Sequence, residues 1–249
     1  MADPVILITG ASRGIGAATA RLAAERGYAV CVNYLRSQSA ADALVSEITR
    51  AGRRAIAVQA DVAIEADVVR LFETVDRELG PLRALVNNAG ILEQQTRVDR
   101  IDAARIGRVF ATNVTGAFVC AREAVRRMST ARGGAGGAIV NVSSRAAQLG
   151  APGEYVDYAA SKAALDALTI GLAREVAGEG IRVNGVRGGI IYTDIHASGG
   201  EPGRVDRLGP ALPMRRGGDA IEVARAILWL LSDEASYSTG TFIDVSGGR

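Results

Sequence analysis

Seven stretches of the chain are nearly continuous runs of apolar and β-branched residues: 5–9 (VILIT), 29–33 (AVCVN), 55–59 (AIAVQ), 84–87 (ALVN), 138–142 (AIVNV), 181–186 (IRVNGV) and 241–245 (TFIDV). They do not alternate apolar with polar. That pattern predicts parallel strands covered on both faces. Between them, apolar residues recur at spacings of three and four. Val114, Phe118, Ala121, Val125 and Met128 mark a helix within 112–130, and Leu165, Leu168, Leu172 and Val176 mark another within 158–179. Ile221, Ala224, Ile227, Leu228 and Leu231 form a third apolar stripe within 219–232. Strands alternating with helices imply an α/β fold built from right-handed βαβ units. The glycine-rich 132–137 (RGGAGG) is a helix-to-strand connection, and no linker divides the chain, so one domain over 1–249 is expected. The stretch 194–218 has no periodicity, and a loop of that length predicts a substrate lid.

Composition narrows the picture mainly by exclusion. The formal net charge is +2 and the arginines are scattered, which excludes a nucleic-acid-binding arm or a basic membrane-surface helix. Cys31 and Cys120 lie in apolar stretches without metal-type spacing, and two cysteines in 249 residues are no disulfide scaffold. The N-terminus (MADPVILITG) has no basic segment, and no run approaches the roughly 20 apolar residues that span a bilayer. A cytoplasmic protein is expected.

The first strand runs into a glycine-rich turn, VILITGASRGIG, and then into a helix. Gly10 permits the turn, Gly14 lets backbone approach a pyrophosphate, and Gly16 allows close helix–sheet packing, with the helix N-terminus facing the phosphates. Strand before and helix after are the context such a loop requires.

The Gly-x-x-x-Gly-x-Gly spacing resembles the short-chain dehydrogenase/reductase family. The resemblance runs along the whole chain: Asp61-Val62 after the third strand, NNAG at 87–90, Asn113, Ser143-Ser144 closing the fifth strand, Tyr158, Lys162, and GGIIYTD at 188–194. It is nearest to the single-domain branch with β-ketoacyl-carrier-protein-reductase-like and glucose-dehydrogenase-like enzymes. It implies a doubly wound, mostly parallel, seven-stranded Rossmann-like sheet with helices on both faces. It also implies hydride transfer between a nicotinamide and a carbonyl or alcohol carbon.

The residues carry that chemistry on their own terms. Lys162 is the one lysine among 29 Lys+Arg. It follows Tyr158 by four positions, so the two are neighbours on one helix face. Free tyrosine titrates near pH 10, and a nearby ammonium is expected to lower that value. Tyr155 lies seven residues from Lys162, roughly 10 Å of helix rise, too far for direct coupling. Tyr158 is therefore assigned as acid/base and Tyr155 as a pocket or packing residue. Ser144 is expected to donate to the substrate oxygen. Adjacent strand residues face opposite ways, so only one of Ser143 and Ser144 points at substrate, and the family's serine–tyrosine gap favours Ser144. Asn113 resembles the family's asparagine that holds a water beside the lysine. His196, the one histidine, falls in the lid, either incidental or a substrate contact.

For the cofactor, the end of the second strand (VCVNYLRSQS) has no acid until Asp42. An acid there would bind a ribose 2′-hydroxyl and repel a 2′-phosphate. Arg36, with Ser37, and Arg13 in the glycine loop are phosphate partners instead, so NADP(H) is expected over NAD(H). By resemblance, Ser12 and Ile15 belong to the phosphate loop. Asp61 and Val62 bind adenine; Asn88, Ala89 and Gly90 wall the adenine ribose; Gly189, Ile191 and Thr193 contact nicotinamide and pyrophosphate. Tyr158 and Lys162 also touch the cofactor. The chain departs from the family in Gly188-Gly189, where Pro-Gly is usual, and a looser hinge at the root of the lid is one expected consequence.

The resemblance further implies a homotetramer packed through 112–130, 158–179 and the last helix and strand. No metal is expected. A non-catalytic NADP(H)-binding regulator or a nicotinamide-using isomerase or dehydratase are the alternatives. Retention of all four catalytic-type residues argues against the first. The compact length argues against the larger epimerase-like relatives. Neither 145–157 nor 194–218 shows a charged cluster that would select a substrate.

Overall fold

The computed structural model describes residues 3–249. Seven parallel strands, β1 (Val5–Ile8), β2 (Ala29–Tyr34), β3 (Ala55–Gln59), β4 (Leu82–Asn87), β5 (Gly137–Ser144), β6 (Ile181–Gly188) and β7 (Phe242–Val245), form one sheet in the order β3-β2-β1-β4-β5-β6-β7. Alternate residues of each strand enter two separate cores. Ile6, Ile8, Val30, Val32 and Val86 pack on one side, against α1 (Gly14–Glu25), α2 (Gln38–Arg50) and the last helix of the chain. Leu7, Cys31, Leu85 and Ile139 pack on the other, against α3 (Glu65–Glu78) and the helices of the chain's middle. Two covered faces are why the strands are nearly continuous apolar runs.

The third predicted strand pairs only with β2 and is a partly exposed edge of the sheet. The middle of the chain is more helical than its periodicity suggested. Ahead of the expected 112–130 helix stands α4 (Ala103–Phe110), started by Asp102, whose carboxylate accepts from the Arg105 amide at 2.7 Å. A π-helical turn, Ala111–Thr115, joins it to α5 (Gly116–Met128). After β5 come a single turn, α6 (Ala146–Leu149), and the long α7 (Val156–Val176). The 194–218 stretch also contains two short helices, α8 (Ile195–Ser198) and α9 (Arg204–Leu208). They are too short to display a periodicity. The last helix, α10 (Ala220–Leu231), begins with a reciprocal cap between Asp219 and Glu222.

The chain winds outward from β1 to β3 and then returns to β4 on the other side of β1. A crevice therefore opens beyond the C-terminal ends of β1 and β4, the general ligand position of doubly wound sheets. Among the described residues, no helix is long and apolar enough to cross a membrane.

Candidate active site

A cleft of about 810 Å³ follows that crevice. At one end lies the glycine loop. Gly10 and Gly14 have φ of +60° and +55°, a backbone region that side chains disfavour. A Cβ on Gly16 would lie 2.6 Å from the Asn88 side chain. The loop is held from below by Asn33, a buried residue the sequence reading passed over. Its Oδ1 accepts from the Gly10 amide at 3.1 Å, and its Nδ2 donates to the carbonyls of Val58 and Ala60 at 3.3 and 3.1 Å. One amide thus ties together the turns after β1, β2 and β3. An asparagine inside an otherwise apolar strand was the available signal.

Thr9 and Asn88 lock the other side. Thr9 Oγ1 accepts from the amides of Asn88 and Ala89, both at 3.0 Å, and Asn88 Nδ2 donates to the Thr9 and Gly10 carbonyls at 2.8 and 3.0 Å. The Asn88 side chain is therefore engaged by the glycine loop, and only its surface faces the cleft. Ser12, Arg13 and Ile15 border the opening of α1, whose first turn carries no acid. Thr193 stands opposite, with its methyl 3.3 Å from where a Gly14 Cβ would be. The exposed Arg13 and Asp194 reach across at 4.0 Å.

Further along the cleft edge lie Arg36 and Ser37, at the entrance to α2, and neither that turn nor the first turn of α2 holds an acid. Asp61 is fastened in place: its Oδ1 accepts from the Ala63 amide at 2.9 Å, and its own amide donates to Asp67 at 3.0 Å. Val62 is buried beside it, and Gly116 of α5 passes so close that a Cβ there would sit 2.7 Å from the Val62 carbonyl.

At the other end, β5 and α7 bring Ser144, Tyr158 and Lys162 together. The two serines separate as strand alternation requires. Ser143 is buried and donates to the Lys162 carbonyl at 3.3 Å, while the half-buried Ser144 lines the cleft with Tyr158, its Oγ accepting from the Ala146 amide at 3.1 Å. Lys162 is buried, with its Nζ donating to the Val142 carbonyl at 2.8 Å and lying 5.7 Å from the Tyr158 ring centre. Burial pushes the Tyr158 phenol up to about 12, and the Ser144 hydrogen bond only partly offsets this. Burial also lowers the Lys162 ammonium to about 8, partly opposed by Asp166. The expected downward pull of Lys162 on Tyr158 is not among the causes that set its value; burial dominates. Desolvation acts on both groups at once and favours the neutral form of each.

Asn113 sits in the π-helical turn with its side chain fully used. Oδ1 accepts from the Ile91 amide at 2.8 Å; Nδ2 donates to the Ile91 carbonyl and to Ser161 Oγ, both at 3.0 Å. Ser161 in turn donates to the Tyr158 carbonyl at 2.7 Å. The side chain of Asn113 is therefore a structural tie between the loop after β4 and α7. Gly90 fits between: a Cβ there would lie 3.4 Å from Lys162 Nζ and 3.5 Å from Asn113 Oδ1.

The Gly188-Gly189 pair lies where β6 ends. Gly188 is the last residue of β6, in register with Ser144 on one side and Val245 on the other. Gly189 is required by close approach, since a Cβ would lie 2.7 Å from Ser246 Cα. Ile191 is buried and lines the cleft. His196 is buried too, its Nε2 2.9 Å from the Ile191 carbonyl, so it braces this loop from α8. Tyr155 is buried and donates to the Gly199 carbonyl at 3.1 Å.

Known proteins resemble the chain over nearly its full length. The profile of the family described as enoyl-(acyl carrier protein) reductase matches residues 10–249. An uncharacterized oxidoreductase of Escherichia coli K12 is 60% identical over 98% of this chain and 99% of its own. A 3-oxoacyl-(acyl-carrier-protein) reductase of Staphylococcus epidermidis is 38% identical over 97% of both. A short-chain dehydrogenase of Burkholderia cenocepacia, solved in complex with NADP, superposes with a TM-score of 0.90 at 34% identity, covering 98% of this chain and 97% of its own. A 3-ketoacyl-(acyl-carrier-protein) reductase of Brucella melitensis, complexed with NADH, gives 0.91 at 30% identity over 100% and 98%.

Proposed function

This chain belongs to the short-chain dehydrogenase/reductase family, and on that premise we propose that it is an NADP(H)-dependent oxidoreductase interconverting a carbonyl and a secondary alcohol. The observation that carries the proposal is the meeting of Ser144, Tyr158 and Lys162 at one end of a cleft whose other end is a glycine-lined phosphate cradle. When bound, the dinucleotide supplies or accepts the hydride. The residues fit such a group: two left-handed glycines, a helix N-terminus without acids, and Arg36 with Ser37 where a 2′-phosphate would lie.

In carbonyl reduction the carbonyl carbon gains a hydride and its oxygen a proton. Ser144 holds that oxygen and Tyr158 gives it the proton. As the proton leaves, the phenolate forms beside the Lys162 ammonium, which stabilises it. Lys162 itself is kept in place by Val142 and Asn113 by Ile91 and Ser161, so the site needs no rearrangement of its frame.

The segment 194–218, carrying α8 and α9, serves as the substrate lid. Exposed Phe118 on α5 and Ile170 on α7 suit the faces through which a homotetramer would pack. A soluble intracellular reductase is the setting this reading assumes. NADPH mixed with a panel of ketones and aldehydes should lose nicotinamide absorbance, and Tyr158→Phe should abolish the loss. NADPH binding without turnover of any carbonyl or alcohol would favour a regulator instead. Light scattering at a monomer mass would contradict the tetramer.

A further inference from the structure

Beyond Tyr158 the cleft ends in a wall drawn from four separate parts of the chain: Arg145 after β5, Glu154 before α7, Arg204 on α9, and Arg249 after β7. Strand register brings them together. Ser144, Gly188 and Val245 are aligned across β5, β6 and β7, so the segment after Val245 runs directly past Ser144. Arg145 fixes it there, its Nε donating to the Arg249 carbonyl at 2.7 Å.

The ion pairs on this wall are unevenly shared. Arg204 is buried and answered by two carboxylates, Glu154 at 2.5 Å and Glu201 at 2.9 Å. Arg145 is answered by Asp244 at 2.8 Å. Among the described residues, Arg249 has no ion-pair partner, although it borders the same cleft. Arg249 is an exposed residue, and partial desolvation against the wall and the neighbouring Arg204 charge press its basicity down, with Glu154 opposing and Arg145 adding to the repulsion. A guanidinium remains charged under that pressure. It is a planar donor without an ion pair at the substrate end of the cleft, beside Arg145 and Arg204, which are already matched.

We propose that Arg249 binds an anionic group of the substrate, so that the preferred substrate is an oxo or hydroxy acid whose carboxylate lies against this guanidinium. The proposal rests on the oxidoreductase reading above. Guanidinium and carboxylate match in a bidentate pair, which a neutral ester cannot form. A site whose cation goes unmatched by the ester discriminates between the two.

The test compares acetoacetate with ethyl acetoacetate, and 2-oxobutanoate with its methyl ester, in NADPH-dependent reduction. Wild-type protein should favour each acid, and Arg249→Ala should lower the acid-to-ester ratio of kcat/KM about 10- to 100-fold through the KM of the acid. Arg249→Glu should reverse the preference. Equal wild-type rates on acid and ester, or a ratio untouched by Arg249→Ala, would overturn the proposal. Calorimetric titration with malonate separates it from the reading beneath it. Malonate binding that weakens at least about tenfold in Arg249→Ala supports the anion site even if no carbonyl is reduced, in which case the reductase reading alone fails. Malonate binding that is absent or equal in both proteins rejects the anion site.

Discussion

The Lys162 ammonium donates to the Val142 carbonyl at 2.8 Å, fastening α7 to the sheet exactly where Tyr158 faces the cleft. The bond reaches from a helix to a strand 20 residues earlier in the chain. It explains why this position holds the one lysine of a protein otherwise reliant on arginine. A compact ammonium fits between the Val142 carbonyl and the Gly90 backbone, and a forked guanidinium does not. Lys162→Arg should therefore keep the fold and lose activity by on the order of 100-fold or more, as measured by kcat with an accepted carbonyl. A fully active arginine variant would make the lone lysine an accident of composition.

The same burial predicts a pH signature in stability. The folded Lys162 value, about 8, lies below its ordinary 10.5. Between those values the unfolded chain binds more protons, so stability from this group rises with pH across that window. Tyr158 acts oppositely: its value rises from 10.0 to about 12, so its contribution is lost as pH climbs through that range. Lys162→Met should remove the first effect. The difference in unfolding free energy between variant and wild type should change by on the order of 3 kcal/mol between pH 7 and 10.5. A difference that stays flat with pH would show that Lys162 is not desolvated.

Arg36 stands unpaired at the mouth of α2, with no acid on the turn. Arg36→Ala should raise the KM for NADPH about 10- to 100-fold and leave that for NADH nearly unchanged. Equal effects on the two would remove Arg36 from cofactor selection.

The glycines after β6 should respond in opposite ways. At Gly188 a Cβ would meet only the Ile191 side chain, at 3.6 Å, and φ is not left-handed. Gly188→Ala should raise stability by about 0.4–1 kcal/mol through the unfolded chain, with NADPH affinity unchanged. At Gly189 the Cβ would press on Ser246 backbone, so Gly189→Ala should lower stability by about 1–3 kcal/mol. Thermal melts with and without NADPH check both. Weakened cofactor binding in Gly188→Ala would restore the hinge interpretation.

Arg105 and Asp157 form a buried, two-pronged ion pair at 2.7 and 3.2 Å, and Arg105 also donates to the Gln94 carbonyl at 2.7 Å. The pair fixes the start of α7 one residue before Tyr158. Arg105→Ala leaves a buried carboxylate alone and should cost about 3–5 kcal/mol in urea unfolding. Adding Asp157→Asn should recover part of that loss. Purely additive losses would mean the two residues are not coupled.

The strands, the glycine loop and the Tyr158–Lys162 spacing were legible in the chain itself, because each depends on a local rule. A strand buried on both faces is apolar throughout, a loop that meets phosphate needs glycine, and residues four apart share a helix face. Tertiary structure decided what depends on distant partners. It turned Ser143 toward α7 and Ser144 toward the cleft, engaged the side chains of Asn88 and Asn113 in the frame, and made desolvation the leading influence on Tyr158. Asn33 and α4 escaped a reading based on apolar periodicity, since one is a polar residue in a strand and the other only eight residues long. The arginine wall was equally invisible. Arg145, Arg204 and Arg249 are scattered along the sequence, and only the parallel register of β5, β6 and β7 and the fold of the lid carry them to one end of the cleft.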